Sequence, residues 1–141
     1  HKRGGKMVVT IGTNDTLASP GAQLDYFQSV LDKMGRATVD RFARLWVMPQ
    51  TGHGLSGSSY NVAGDGKAVA PAPIPNRYDQ TSLLVDWVEN GKAPGDLEVT
   101  EQKVEAPAFE TTRALPLCQW PAWPLYKSGP VDRATSFACA P

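Results

Sequence analysis

The chain has 141 residues with 14 basic and 14 acidic side chains, so its formal net charge is zero, and 41% of its residues are apolar. That length suits one domain and is short for two. The charge balance argues against a nucleic-acid partner, which needs a clustered basic surface, and no apolar run approaches the roughly 18–20 residues that span a bilayer.

The chain opens His1-Lys2-Arg3-Gly4-Gly5 without an initiator Met, which reads as a processing site or the edge of a longer protein. Lys6 to Gly12 is a β-branched run ending at Gly, the pattern of a buried strand followed by a turn. Thr13 to Thr16 has loop chemistry. Ser19-Pro20 then predicts a helix start, with Ser as N-cap and Pro at the first helical position. Leu24, Phe27, Leu31 and Met34 follow at helical spacing, and Gly35 stops the helix. Phe42 to Val47 reads as a second strand, ended by Met48-Pro49.

Residues 55–78 form a long Gly/Ser/Pro-rich loop without a sustained period, and loops of this length in compact domains are functional or mobile. Asp79 can cap a second helix over 79–91, with Leu83, Leu84, Trp87 and Val88 as its apolar stripe and Asn90-Gly91 as its close. Residues 92–141 read as an irregular tail. Leu97 to Thr100 alternates like a short edge strand, whereas the prolines of Trp120 to Tyr126 argue against regular structure there, its rings packed down. Two cysteines, Cys118 and Cys139, lie in this tail. Spacing alone leaves open two free thiols or a disulfide closing a loop of about 20 residues.

Strand, loop, helix, strand, long loop, helix is the grammar of parallel βαβ units. The expected fold class is therefore α/β, one end of a mostly parallel sheet, because two parallel strands need neighbours. In such sheets ligands bind beyond the carboxyl ends of the strands. Asp15 follows the first strand and His53 the second, within Gln50-Thr51-Gly52-His53-Gly54. If the strands are neighbours, both side chains reach one edge, where a carboxylate can orient an imidazole and stabilise its protonated form. The order acid then histidine fits an α/β-hydrolase triad whose serine comes earlier, and Gly52 and Gly54 would let the backbone turn around the imidazole. Each residue also has a plain reading: Asp15 as a turn former, His53 as a solvated loop residue. The nucleophile elbow Gly-x-Ser-x-Gly is missing, since Gly54-Leu55-Ser56-Gly57-Ser58 fails at its last position. There is no phosphate loop, metal-ligand spacing or basic stripe.

Gly4 to Asp15, Ser19-Pro20 with the helix through Tyr26, Phe42 to His53, Val85 to Pro94 and the ending Leu115 to Cys139 together resemble the C-terminal part of the tannase/feruloyl esterase family of α/β-hydrolases. The resemblance covers nearly the whole chain, and the late helix and cysteine tail carry its specificity. It implies that residues 1–141 are the C-terminal part of one catalytic domain, with Asp15 as triad acid, His53 as general base and Cys118 paired with Cys139. The serine, the oxyanion hole, most of the sheet and a large lid would belong to an upstream half, and the ester substrate would be small and aromatic. No cofactor or metal is assigned to this chain; the calcium of fungal members sits in the lid. A secreted or periplasmic location follows. Departures from the family pattern are Gly54, where a Cys commonly follows the histidine, Thr16 in place of Pro, and a stretch 55–78 longer than usual, which would cover the site and alter substrate choice. The rival readings are a fragment of an α/β-hydrolase peptidase, one chain of a nicked two-chain enzyme, and a non-catalytic binding module.

Overall fold

The computed structural model describes every residue except 104 and 106–108, so part of the expected irregular tail lies outside the described residues. Strand β1 (Met7–Gly12) leads through helix α1 (Pro20–Met34) and a four-residue helix α2 (Arg36–Val39) to strand β2 (Ala43–Met48). A long excursion then reaches helix α3 (Gln80–Asn90). Strands β3 (Leu97–Gln102), β4 (Thr111–Leu117), β5 (Trp123–Tyr126) and β6 (Phe137–Ala140) complete the chain, with a 3-10 turn at Ala134–Ser136 before β6.

The helix starts follow from their caps. Ser19 Oγ accepts from the Ala22 N–H at 3.3 Å and Pro20 is the first helical residue, while Asp79 Oδ1 accepts from Ser82 N–H at 2.9 Å. Phe27 and Leu31 of α1 are buried against Ile11, Val39, Ala43 and Leu45, forming one core between α1 and the sheet. Helix α3 buries Trp87 alone; the Lys6 ammonium lies 5.2 Å and the Arg44 guanidinium 5.0 Å from its ring centroid. Val88, expected in the α3 stripe, is exposed, as is Val85. A second core joins Trp46 and Met48 of β2 to Val99 and Leu117 of the β3–β4 ribbon, and Trp46 Nε1 donates to the Gly95 carbonyl at 3.1 Å.

Strands β1 and β2 pair in parallel, from Met7 opposite Ala43 to Gly12 opposite Met48. The described residues contain this one parallel pair and two antiparallel ribbons, β3–β4 and β5–β6, so the wider parallel sheet is not among them. The two edges of the parallel pair differ. The outer edge of β2 is covered where Trp120 N–H donates to the Leu45 carbonyl at 2.8 Å, whereas no strand lies on the outer edge of β1 among the described residues. This corrects the expectation that β1 is buried throughout: only Ile11 and Gly12 are.

The tail is more regular than its prolines suggest. Ala114 N–H donates outward to the Asp132 carbonyl at 3.0 Å, so Pro116, two residues on, also faces away from β3 and breaks no ladder bond. Pro124 is tolerated for the same reason. Lys127 N–H donates to the Ser136 carbonyl at 2.8 Å, and alternation leaves Pro124 opposite Cys139 at a non-bonded position. The rings divide: Trp120 packs on the first core, while Trp123 and Tyr126 are each 55% exposed, against the expectation that all pack down. Cys118 and Cys139 form a disulfide that holds β6 to the end of β4, with 21 residues of separation. Replacing both cysteines by alanine is expected to remove about 3 kcal/mol of stability through the lost chain constraint, read as a lower urea midpoint.

Backbone hydrogen bonds and isolated bridges run through the long excursion after β2. Gly57 lies so close to the histidine loop that a Cβ there would sit 2.0 Å from the Gln50 carbonyl oxygen, and one at Gly12 would sit 2.4 Å from the Thr51 carbonyl oxygen. Both are backbone contacts that cannot yield cheaply. By contrast, a Cβ at Gly54 would meet nothing within 4 Å. The glycines that shape this region are therefore Gly12 and Gly57, where backbones approach, rather than Gly52 and Gly54 around the imidazole. Gly12→Ala is expected to destabilise the protein by about 2–3 kcal/mol, the upper range for overpacking, seen as a drop in Tm.

Candidate active site

Parallel pairing brings the carboxyl ends of β1 and β2 side by side, and backbone bonds then lock the two following loops together. Thr13 N–H donates to the Met48 carbonyl at 3.1 Å, and Asn14 N–H donates to the Thr51 carbonyl at 2.9 Å. Gln50 N–H donates to Thr13 Oγ1 at 2.8 Å. Thr51 is fully buried, and its hydroxyl donates to the Met48 carbonyl at 3.1 Å. Thr13 and Thr51 were not singled out from the sequence. A hydroxyl residue beside each strand end was the available signal, but its use depends on the pairing of the strands.

On this frame the structure brings the two predicted residues together: Asp15 Oδ2 lies 2.9 Å from His53 Nδ1. The other carboxylate oxygen, Oδ1, accepts from Leu17 N–H at 2.9 Å and from Ala18 N–H at 3.0 Å. Asp15 is thus both the turn former of its plain reading and the partner of the histidine. The Ala18 N–H, then the His53 ring, hold its pKa below the ordinary 3.8. An ionised carboxylate can only accept, so the proton of a neutral His53 ring must sit on Nδ1, leaving the Nε2 lone pair free. The Asp15 side chain is 7% exposed and that of His53 62% exposed, so the acid is shielded while the ring opens outward. Such a pair can take up a proton at Nε2 and stabilise the resulting imidazolium. Among the described residues no serine hydroxyl is hydrogen-bonded to His53.

Cys118 and Cys139 lie elsewhere, between β4 and β6, as a disulfide. Asp96 clusters with their sulfurs, but disulfide sulfurs are not thiolate ligands and Asp96 Oδ1 accepts the Gln119 N–H at 2.8 Å, so these residues do not suit a metal ion. No helix among the described residues is long and apolar enough to cross a membrane.

Comparison with known proteins gives the family and the fold. The family profile described as "Tannase and feruloyl esterase" matches residues 1–140. An uncharacterized esterase of Agrobacterium fabrum is 34% identical over 140 residues, 98% of this chain and 22% of that protein. A probable feruloyl esterase of Arthroderma benhamiae is also 34% identical over 140 residues, covering 99% of this chain and 23% of its own length. The chain therefore spans between a fifth and a quarter of these curated relatives. In fold it resembles the crystal structure of an esterase from Aspergillus oryzae, with a TM-score of 0.73 at 20% identity over 99% of this chain and 28% of that one. The match along residues 1–140 and these relatives together place the chain in the tannase and feruloyl esterase family.

Proposed function

We propose that this chain is the acid-and-histidine portion of a serine carboxylic-ester hydrolase acting on aromatic or phenolic esters. The observation that carries the reading is the 2.9 Å contact of Asp15 Oδ2 with His53 Nδ1 at the adjoining carboxyl ends of two parallel strands. The upstream half would supply the serine, the oxyanion hole and further strands of the sheet. The uncovered outer edge of β1, beside a covered β2, supports addition of those strands at β1. The relatives named as feruloyl esterase and tannase support the ester class. The Cys118–Cys139 disulfide supports an oxidising, extracytoplasmic location.

In this mechanism His53 Nε2 takes the serine hydroxyl proton as the serine oxygen bonds to the ester carbonyl carbon. The tetrahedral intermediate then collapses, the carbon–alkoxy bond breaks, and the Nε2 proton passes to the departing alcohol. Water repeats the sequence on the acyl-enzyme, releasing the carboxylic acid and restoring serine. Asp15 fixes the ring's tautomer and stabilises the imidazolium in both halves.

Fluorophosphonate labelling of the full-length protein tests the serine; labelling upstream of this chain is the expected result, and an unlabelled protein that hydrolyses no ester would exclude the reading. Asp15→Asn should lower kcat about 10⁴-fold with the substrate KM little changed, measured on a phenolic ester.

The acid also has a signature in stability. Its folded pKa lies below the ordinary 3.8, so its charge contributes stability above that value and loses it as the pH falls through the lowered folded pKa. The Tm difference between wild type and Asp15→Asn is expected to be widest near neutrality and to shrink below about pH 4.

A further inference from the structure

The turn that carries His53 is held at its base. Leu55 N–H donates to the Gly52 carbonyl at 2.9 Å, which makes His53 the second residue of a four-residue turn. Gly52 N–H donates to the Ser56 carbonyl at 2.9 Å and closes the loop below it. The apex itself is open: the His53 side chain is 62% exposed, and a Cβ on Gly54 would meet nothing within 4 Å. Where the ring lies therefore depends on the backbone at the base of the turn.

Two non-glycine residues on either side of His53 have left-handed backbone, Gln50 at φ 55° and Leu55 at φ 56°. That conformation is disfavoured for a residue with a Cβ and persists where surrounding contacts enforce it. At Gln50 the contact is the Thr13 hydroxyl, which accepts its N–H. At Leu55 the contacts come from later in the chain. Its side chain packs on the second core, and its carbonyl accepts from Asn76 Nδ2 at 2.7 Å. The N–H of Leu55 thus closes the histidine turn while Asn76 fixes its carbonyl.

Asn76 is itself well anchored. Ile74 N–H donates to the Gly57 carbonyl at 2.9 Å, and Arg77 and Thr100 of β3 exchange two backbone bonds, each of 3.0 Å. The Tyr78 hydroxyl is hydrogen-bonded to the Thr10 hydroxyl of β1. Ile74 and Tyr78 pack on the same core as Leu55. Residues 74–78 therefore join the histidine loop to β1 and to β3, and the Asn76 amide reaches the turn from this brace.

We propose that Asn76 is a positioning residue for His53. By donating to the Leu55 carbonyl it holds the left-handed backbone that sets the turn, which keeps Nδ1 on Asp15 and Nε2 aimed at the reacting serine. The inference rests on the esterase reading above. An amide suits the task, because it donates to a carbonyl without bringing a charge to the Asp15–His53 pair. Without that donor the half-buried carbonyl would seek another partner, and the backbone of the turn would follow it.

The test uses the full-length protein and a phenolic ester, at a temperature well below the Tm of every variant. Asn76→Ala should lower kcat about 10- to 100-fold, the range for a reacting group displaced by about 1 Å, with KM held within about twofold. Fluorophosphonate labelling should slow in parallel, because it uses the same base. Hydrogen exchange should quicken in residues 52–56 and stay unchanged in β1 and β2. Asn76→Asp, nearly isosteric but without an N–H donor, should lose at least as much kcat, and it carries the test if the alanine variant does not fold. Leu55→Gly supplies a discriminating background, since glycine takes a positive φ without strain. There the further loss on Asn76→Ala should shrink to less than about threefold. An unchanged kcat, a change confined to KM, unchanged exchange in residues 52–56, or the same loss in both backgrounds would overturn the proposal while leaving the esterase reading intact. A wild-type protein neither labelled by fluorophosphonate nor active on any ester would overturn both.

Discussion

The parallel register of β1 on β2 sets Gly12 opposite Met48, and the site geometry depends on that alignment. A shift of one residue would reverse the faces of every side chain on one strand and separate the loops that follow. With the strand ends level, Thr13, Asn14, Gln50 and Thr51 exchange bonds across the gap, and Asp15 reaches His53. The close approach at Gly12 belongs to the same constraint, because the histidine loop folds back over the end of β1 where a side chain would block it.

Two backbone N–H groups and one imidazole engage both oxygens of the Asp15 carboxylate. This is a way of keeping a shielded acid ionised without a cation beside it: the turn at Leu17 and Ala18 supplies the dipoles. The cost of shielding is met locally, so the acid can hold the ring while His53 stays open to whatever approaches Nε2. Two of the donors that hold the carboxylate thus lie in the turn itself.

The apolar surface is distributed accordingly. The two faces of the parallel pair are closed by α1 on one side and the β3–β4 ribbon on the other, with Trp46 fully buried. An apolar cavity of about 310 Å³ lies between β2, β4 and the tail, lined by Met48, Ile74, Leu117 and Trp123 among others. The outer edge of β1 carries no strand among the described residues, and Val85 and Val88 of α3 are exposed, in a chain that spans between a fifth and a quarter of its curated relatives.

Local chemistry was legible in the amino-acid order. Ser19-Pro20 and Asp79 mark helix starts because a side-chain cap needs only its neighbours. The β-branched runs and the order acid then histidine pointed to two strand-end loops meeting. The prolines of Trp120 to Tyr126 misled where Pro124 falls in β5, since whether a missing N–H matters depends on which way the residue faces in a ladder. Likewise Val88 fits a helical stripe in sequence but lies on a face that nothing among the described residues covers. The sequence by itself determined the family, the helix caps and the identity of Asp15 and His53 as candidates. Only the tertiary structure decided their 2.9 Å contact and the close backbone approach at Gly12 and Gly57. Those depend on contacts between residues far apart in the chain, for which local spacing carries no signal.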